Sequence, residues 1–174
     1  VLVKTLSGNS GCSVQLLQNN KAVFVRKTSG SKQYNKRLKK QVLKQHNFLK
    51  LDNGIATPEI YDTGLTKDGF YYFDMEYVHG SIFSDFIRSN DINNIKPISK
   101  KILSLISDNP SDSFDATGKI VKKLDSLPSV EKDIRSLVKD VDWTNTPKTF
   151  CHGDLTFENM IVSNGKLYLI DFLD

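Results

Sequence analysis

The sequence predicts an α+β protein in two parts. Residues 1–78 read as a lobe with an antiparallel sheet and one helix, and residues 79–174 as a mainly helical lobe carrying a small β-hairpin. Three observations predict this. Short apolar runs separated by Gly-, Asn- and Asp-containing turns fill the first stretch of chain. One lysine-rich segment, 31–51, repeats apolar residues at helical spacing. After Gly80 the strand pattern gives way to amphipathic segments.

In order along the chain, residues 2–6 form a strand before the turn Ser7-Gly8-Asn9-Ser10-Gly11. Residues 13–17 alternate, Gln18-Asn19-Asn20 turns, and residues 22–26 make a third strand rich in β-branched and aromatic side chains. In the helix at 31–51, Leu38, Val42, Gln45 and Leu49 share one stripe, and Lys36, Lys39, Lys40 and Lys44 fall mainly off it on a solvated face. Residues 60–65 and 70–77 pair through an Asp-Gly turn. A helix is expected at 81–89 with Ser81 as its cap, then helices at 99–107, 115–126 and 130–141. Residues 149–151 form a short strand, and 160–162 and 167–170 the final hairpin.

The 174 residues suit one domain or two small lobes around a cleft. A net charge of +4 and a pI near 8.9 fit an anionic small molecule. The lysines are spread out, which argues against a nucleic-acid partner. Cys12 and Cys151 give neither a disulfide framework nor zinc spacing, so a cytoplasmic setting is expected. There is no apolar run of membrane-span length and no signal-peptide pattern. The missing initiator Met and the stop just after Asp171 suggest a fragment, truncated at its carboxyl end.

Chemistry concentrates at the end of the sequence: His152-Gly153-Asp154-Leu155-Thr156-Phe157-Glu158-Asn159, then Ile170-Asp171-Phe172. Phosphoryl transfer needs such a set. One carboxylate orients the attacking hydroxyl, while a carboxamide and a second carboxylate hold Mg²⁺ against the phosphates. Asp154, Asn159 and Asp171 fill those three roles. His152 reads as a structural brace and Glu158 as a solvated or capping carboxylate.

These motifs, H-G-D-x-x-x-x-N followed by I-D-F, resemble the kinase-like phosphotransferases, and within them the aminoglycoside phosphotransferase and choline kinase branch. The resemblance spans the chain. It implies a bilobal protein-kinase-like fold, ATP or GTP with Mg²⁺ as cofactors, and a small-molecule hydroxyl as acceptor. Gly153, where protein kinases usually carry Arg, favours small molecules over proteins. The resemblance sets the 7–11 turn over the nucleotide phosphates, with Ser10 and Gly11 at the contact. It places a phosphate-binding cation at the end of the third strand. Arg26 and Lys27 point to opposite faces, so one serves, and strand alternation favours Arg26. Phe73–Gly80 resembles the interlobe hinge, where adenine would pair with backbone of Glu76 and Val78, with Met75 behind the ring. The helix that should supply a Glu to the cation has no acidic residue; Gln41 stands there.

The leading expectation is therefore a phosphotransferase acting on an amino alcohol such as choline, an aminoglycoside or a sugar. A nucleotide-binding scaffold with weak or no catalysis is the alternative, and a protein kinase is less favoured. Asp108, Asp112 and Asp115 are read as a solvated loop that could lend acidity to an acceptor pocket.

Overall fold

A computed structural model describes residues 1–6, 11–20, 22–51, 54–107, 112–127, 132–147 and 151–173. In chain order the elements are β1 (Leu2–Leu6), β2 (Cys12–Gln18), β3 (Val23–Ser29), α1 (Asn35–Leu49), β4 (Ile60–Leu65), β5 (Tyr71–Glu76), β6 (Ser81–Ile82), α2 (Phe83–Ser89), α3 (Ile92–Ser107), β7 (Ser113–Phe114), α4 (Thr117–Asp125), α5 (Lys132–Asp140), β8 (Thr146–Pro147), a 3₁₀ turn (Phe157–Asn159), β9 (Met160–Ser163) and β10 (Lys166–Leu169). The protein is mixed α+β, with an antiparallel five-stranded sheet and, among the described residues, five helices. It divides into two compact units, Val1–Leu105 with His152–Asp174, and Ile106–Cys151.

In the first unit the sheet runs β1-β2-β3-β5-β4, antiparallel throughout. Its β3–β5 register decides which side chains share a face. Val25 lies opposite Met75, Arg26 opposite Asp74, and Lys27 opposite Phe73. Directly opposed residues project to the same side and neighbours along a strand to opposite sides. Phe73 and Tyr71 pack against Leu38 and Val42 of α1, with Ile60 and Met75 against the same cluster. The helix-covered face thus carries Val25, Lys27, Phe73 and Met75, and the other face carries Arg26 and Asp74. The start of α1 is pinned by Asn35, whose amide donates to the Gly69 carbonyl while its oxygen accepts the Tyr71 amide N–H.

A second sheet of the same unit, β10-β9-β6, holds the final hairpin. Its turn is Asn164-Gly165, both at positive φ (49° and 71°), as a tight two-residue hairpin turn requires. The segment before β4 is stitched to β10: Ala56 donates to Leu167 and accepts from Leu169, both at 2.8 Å. Phe48 near the end of α1 meets Phe172 at 5.4 Å between ring centroids, and both are fully buried.

Two expectations in this region need correcting. Residues 81–82 belong to a strand, not to a helix capped by Ser81. A Cβ on Gly80 would lie 2.5 Å from the Val162 carbonyl, so glycine lets β6 reach β9, where Ser81 and Ile82 pair with Val162 and Ile161. The helix follows at Phe83, held by edge-on contact of Phe83 with Phe157. Helix α3 begins at Ile92, well before residue 99. Asp91 accepts the amides of Asn93 and Asn94, satisfying the first-turn donors, and the helix runs through Pro97, a residue that ordinarily marks a break.

The second unit is small. Its β7 and β8 pair, and α4 and α5 are tied by Arg135, which donates to the Leu124 and Leu127 carbonyls and faces Asp125 at 3.6 Å. Asp112 and Asp115 accept local amides from Ser113 and Thr117, the ordinary behaviour of loop aspartates; Asp108 lies outside the described residues. The expected strand at 149–151 also lies outside them except Cys151, which is not in a strand.

Replacing Phe48 with Ala should cost about 3–5 kcal/mol in urea unfolding, the usual range for deleting a buried aromatic ring. On the same helix Leu43 is 61% exposed, and its replacement by Ala should shift stability by no more than about 0.5 kcal/mol.

Candidate functional site

A cavity of about 980 Å³ opens within the first unit. It is lined by Gly11, Lys27, Met75, Glu76, Val78, Asp154, Asn159 and Asp171, all site residues expected from the sequence. Ser10 lies outside the described residues. Gly11 has φ +66°, and its carbonyl accepts the Gly30 amide at 2.9 Å; a Cβ on Gly30 would sit 2.4 Å from that oxygen. Two glycines therefore allow β2 and β3 to close together beside the cavity.

Arg26, the cation favoured from strand alternation, does not line the cavity. It lies on the other face, where Nε and Nη2 make a two-pronged pair with Asp74 at 2.6 and 2.7 Å and the guanidinium stacks 4.1 Å from the Tyr72 ring. The bonds to Asp74 raise its already high pKa, so its charge is committed there. Lys27 is the cavity cation. Its ammonium, 4% exposed, donates to Asp171 Oδ1 at 2.5 Å. Alternation correctly opposes the two cations; the choice of face depends on which β5 residue lies across, and Phe73 rather than Asp74 is on the helix side.

The 152–159 loop is built around His152, which is 4% exposed. Its Nε2 lies 2.9 Å from the Ile170 carbonyl, and its Nδ1 accepts the Asp154 amide N–H at 3.3 Å. A carbonyl only accepts, so Nε2 carries the proton and the ring is neutral. The Leu173 amide returns to the His152 carbonyl at 2.9 Å, and the imidazole lies 4.4 Å from the Phe172 ring. The structural role expected for His152 is thus physical: it ties the Asp154 loop to the Asp171 segment. Gly153 is forced by the same closure, with φ +88° and room for no Cβ, since one would lie 2.7 Å from the Leu173 carbonyl.

Asn159 sits in the 3₁₀ turn, and its amide nitrogen donates to the backbone carbonyl of Asp154 at 2.9 Å and to its Oδ2 at 3.0 Å. That commits the nitrogen and leaves the carboxamide oxygen as the atom able to meet a cation. Asp171 has φ +59°, in the left-handed region where Asp is one of the few tolerated side chains. Glu158 is exposed, as expected of a solvated carboxylate.

Among the described residues no cluster of three or more His, Cys, Asp or Glu side chains could cage a metal. Asp171 and the Asn159 oxygen fit a cation that keeps water and substrate oxygens as its other ligands, which is how Mg²⁺ is usually held.

Helix α1 and the residue just before it contribute side chains the sequence reading did not single out. Tyr34 and Arg37 line the cavity, with the guanidinium 5.2 Å from the Tyr34 ring. Their signal was the helical spacing Tyr34, Arg37, Gln41, Gln45, one continuous stripe. Gln45 donates to the Pro58 carbonyl at 2.6 Å. Gln41, 2% exposed, has no partner for either amide atom. Of the four lysines read as solvated, Lys36, Lys39 and Lys40 are exposed, while Lys44 is half-buried and donates to the Leu173 carbonyl. Cys12 lies beside this region, and its thiol pKa is raised chiefly by burial.

No protein-family model matches this chain, and no curated protein matches it significantly. No helix among the described residues is long and apolar enough to cross a membrane.

Burial lowers the His152 pKa below its ordinary value, against the opposing pull of the Ile170 and Asp154 contacts. The unfolded chain therefore takes up this proton first as pH falls. Stability contributed by neutral His152 is complete above the unfolded value of about 6.5 and is lost progressively below it. Urea midpoints measured from pH 7.5 to 5.5 should fall, and His152→Gln should flatten that part of the profile.

Proposed function

We propose that this protein is a phosphotransferase of the kinase-like type, using ATP or GTP with Mg²⁺ to phosphorylate a hydroxyl of a small molecule. The observation that carries the reading is the direct link between Asp154 and Asn159 in one cavity with Asp171 and Lys27. Those groups are 144 residues apart at the extremes, yet they meet in the combination that phosphoryl transfer requires. The five-stranded sheet with its single covering helix supports a kinase-like reading, in which residues 1–78 would form the nucleotide lobe and 79–174 the lobe with the catalytic loop, a boundary different from that of the two compact units.

In this reading Asp154 accepts or orients the proton of the attacking hydroxyl, and Asn159 holds that carboxylate in place. Asp171 and the Asn159 oxygen would hold the cation, which when bound neutralises charge on the phosphates. Lys27 serves the phosphates. Glu76 and Val78 offer backbone groups to the base, with Met75 as an apolar wall. Most of the rate would come from positioning and charge neutralisation. The acceptor class stays broad: an amino alcohol such as choline, an aminoglycoside or a sugar. The chain's setting is proposed as cytoplasmic, with no nucleic-acid partner.

One observation favours the alternative of a nucleotide-binding scaffold with weak or absent catalysis. Lys27 is occupied by Asp171, and α1 has no carboxylate to hold it elsewhere. A panel of amino alcohols, sugars and aminoglycosides, followed by nucleotide-diphosphate release, separates the two. The expected result is transfer to at least one acceptor. Asp154→Asn should lower that turnover by about 10²-fold or more while nucleotide affinity stays within about two-fold. Transfer that survives the substitution intact would remove Asp154 from its role.

A further inference from the structure

Among the described residues, the buried side-chain polar atoms without a hydrogen bond are the Tyr34 hydroxyl and both amide atoms of Gln41. Buried polar groups are ordinarily paired, so unpaired ones gathered in one place ask for a cause. Both residues belong to the stripe Tyr34, Arg37, Gln41, Gln45, and all four line the cavity. Gln45 is satisfied, since it donates to the Pro58 carbonyl. The unpaired atoms therefore flank a single residue, Arg37.

Arg37 has no carboxylate partner among the described residues, and α1 contains no acidic side chain to supply one. Its guanidinium lies 5.2 Å from the Tyr34 ring. The stripe thus carries its charge where solvent reaches, at exposed Arg37, and its amide where solvent does not, at Gln41. The three side chains share one chemistry, because all of them donate. The guanidinium offers a planar fork, the phenol one O–H and the carboxamide two N–H groups. Burial above all, with the Cys12 thiol adding to it, raises the Tyr34 pKa, so the phenol keeps its proton at neutral pH. That thiol is a weak acceptor and leaves the hydroxyl available. Asp171 is the carboxylate whose charge reaches Tyr34, and Lys27 offsets it at 2.5 Å.

We propose that Tyr34, Arg37 and Gln41 form a subsite for an oxyanion, a phosphate or carboxylate group, on the α1 wall of the cavity. Arg37 takes two oxygens of the anion through its fork, and Tyr34 and Gln41 donate to what remains. The hydroxyl and the amide gain partners when the anion arrives. The subsite stands on the geometry of α1 and does not depend on the phosphotransferase reading. Two sources carry such a group: the terminal phosphate of a nucleotide, and a separate small anion.

Inorganic phosphate is the probe, titrated calorimetrically into the 174-residue chain at constant ionic strength. Saturable binding is expected. It should weaken about ten-fold or more in Arg37→Met, and about three-fold or more in Tyr34→Phe and in Gln41→Met. Arg37→Lys keeps the charge without the fork and should still bind about five-fold more weakly. Tyr34→Phe and Gln41→Met change no charge at neutral pH, so their losses report direct contact rather than long-range attraction. No phosphate binding, or affinity unaltered in the three variants, would overturn the proposal. Without phosphate, Gln41→Met should leave the urea midpoint unchanged or higher, because an apolar side chain replaces an unpaired amide. A lower midpoint would contradict the unpaired state on which the proposal stands. Repeating the titration with a saturating non-hydrolysable ATP analogue and Mg²⁺ separates the sources. Phosphate binding that persists assigns the subsite to a separate anion. Competition, with Arg37→Met weakening the analogue but not the nucleoside diphosphate, assigns it to the terminal phosphate. A chain that binds phosphate as described but no nucleotide keeps the subsite and loses the phosphotransferase reading; nucleotide binding without phosphate binding does the reverse.

Discussion

The ion pair between Lys27 and Asp171 is the contact around which the cavity is organised. It joins β3, near the start of the chain, to the segment after the last hairpin. Its lysine is almost wholly buried and its carboxylate less so, which makes it neither a surface pair of small value nor a sealed one. Removing either partner would leave a charge facing apolar walls such as Val25, Phe73 and Phe172. Everything near it is arranged to keep the two ends in register. His152 ties the Asp154 loop to Ile170 and Leu173, Phe48 packs on Phe172, and Lys44 reaches the Leu173 carbonyl.

The two glycines beside this pair have separate reasons. Gly153 gives way to the Leu173 carbonyl, and Gly30 to the Gly11 carbonyl. In both places backbone approaches backbone, which side chains would prevent. Gly153 was read from the sequence as a hint of a small-molecule acceptor; its geometry gives it a structural reason independent of any acceptor.

Much of this was legible in the residues. The strands of the five-stranded sheet announce themselves by alternation and turn chemistry, and the Asn164-Gly165 turn by its dipeptide. Asp154, Asn159 and Asp171 were found by type and spacing, and they line one cavity. What was not legible depended on partners distant in sequence. Alternation separates Arg26 from Lys27 but does not say which faces the helix; that is settled by Phe73 and Asp74 on β5. The two residues of β6 are too few to show a pattern, and only Gly80's approach to Val162 explains them. The early start of α3 has a local signal in Asp91, which accepts the amides of Asn93 and Asn94. Gln41 could be located from its spacing, but its isolation is a property of the packed core.

The central claim is that Asp171 and the cavity around it bind a nucleotide through a divalent cation. The most direct measurement is a calorimetric titration of the chain with a non-hydrolysable ATP analogue and Mg²⁺. The account predicts saturable one-to-one binding that disappears when Mg²⁺ is chelated and weakens at least about ten-fold in Asp171→Ala. Nucleotide binding indifferent to both changes, or no binding at all, would contradict it.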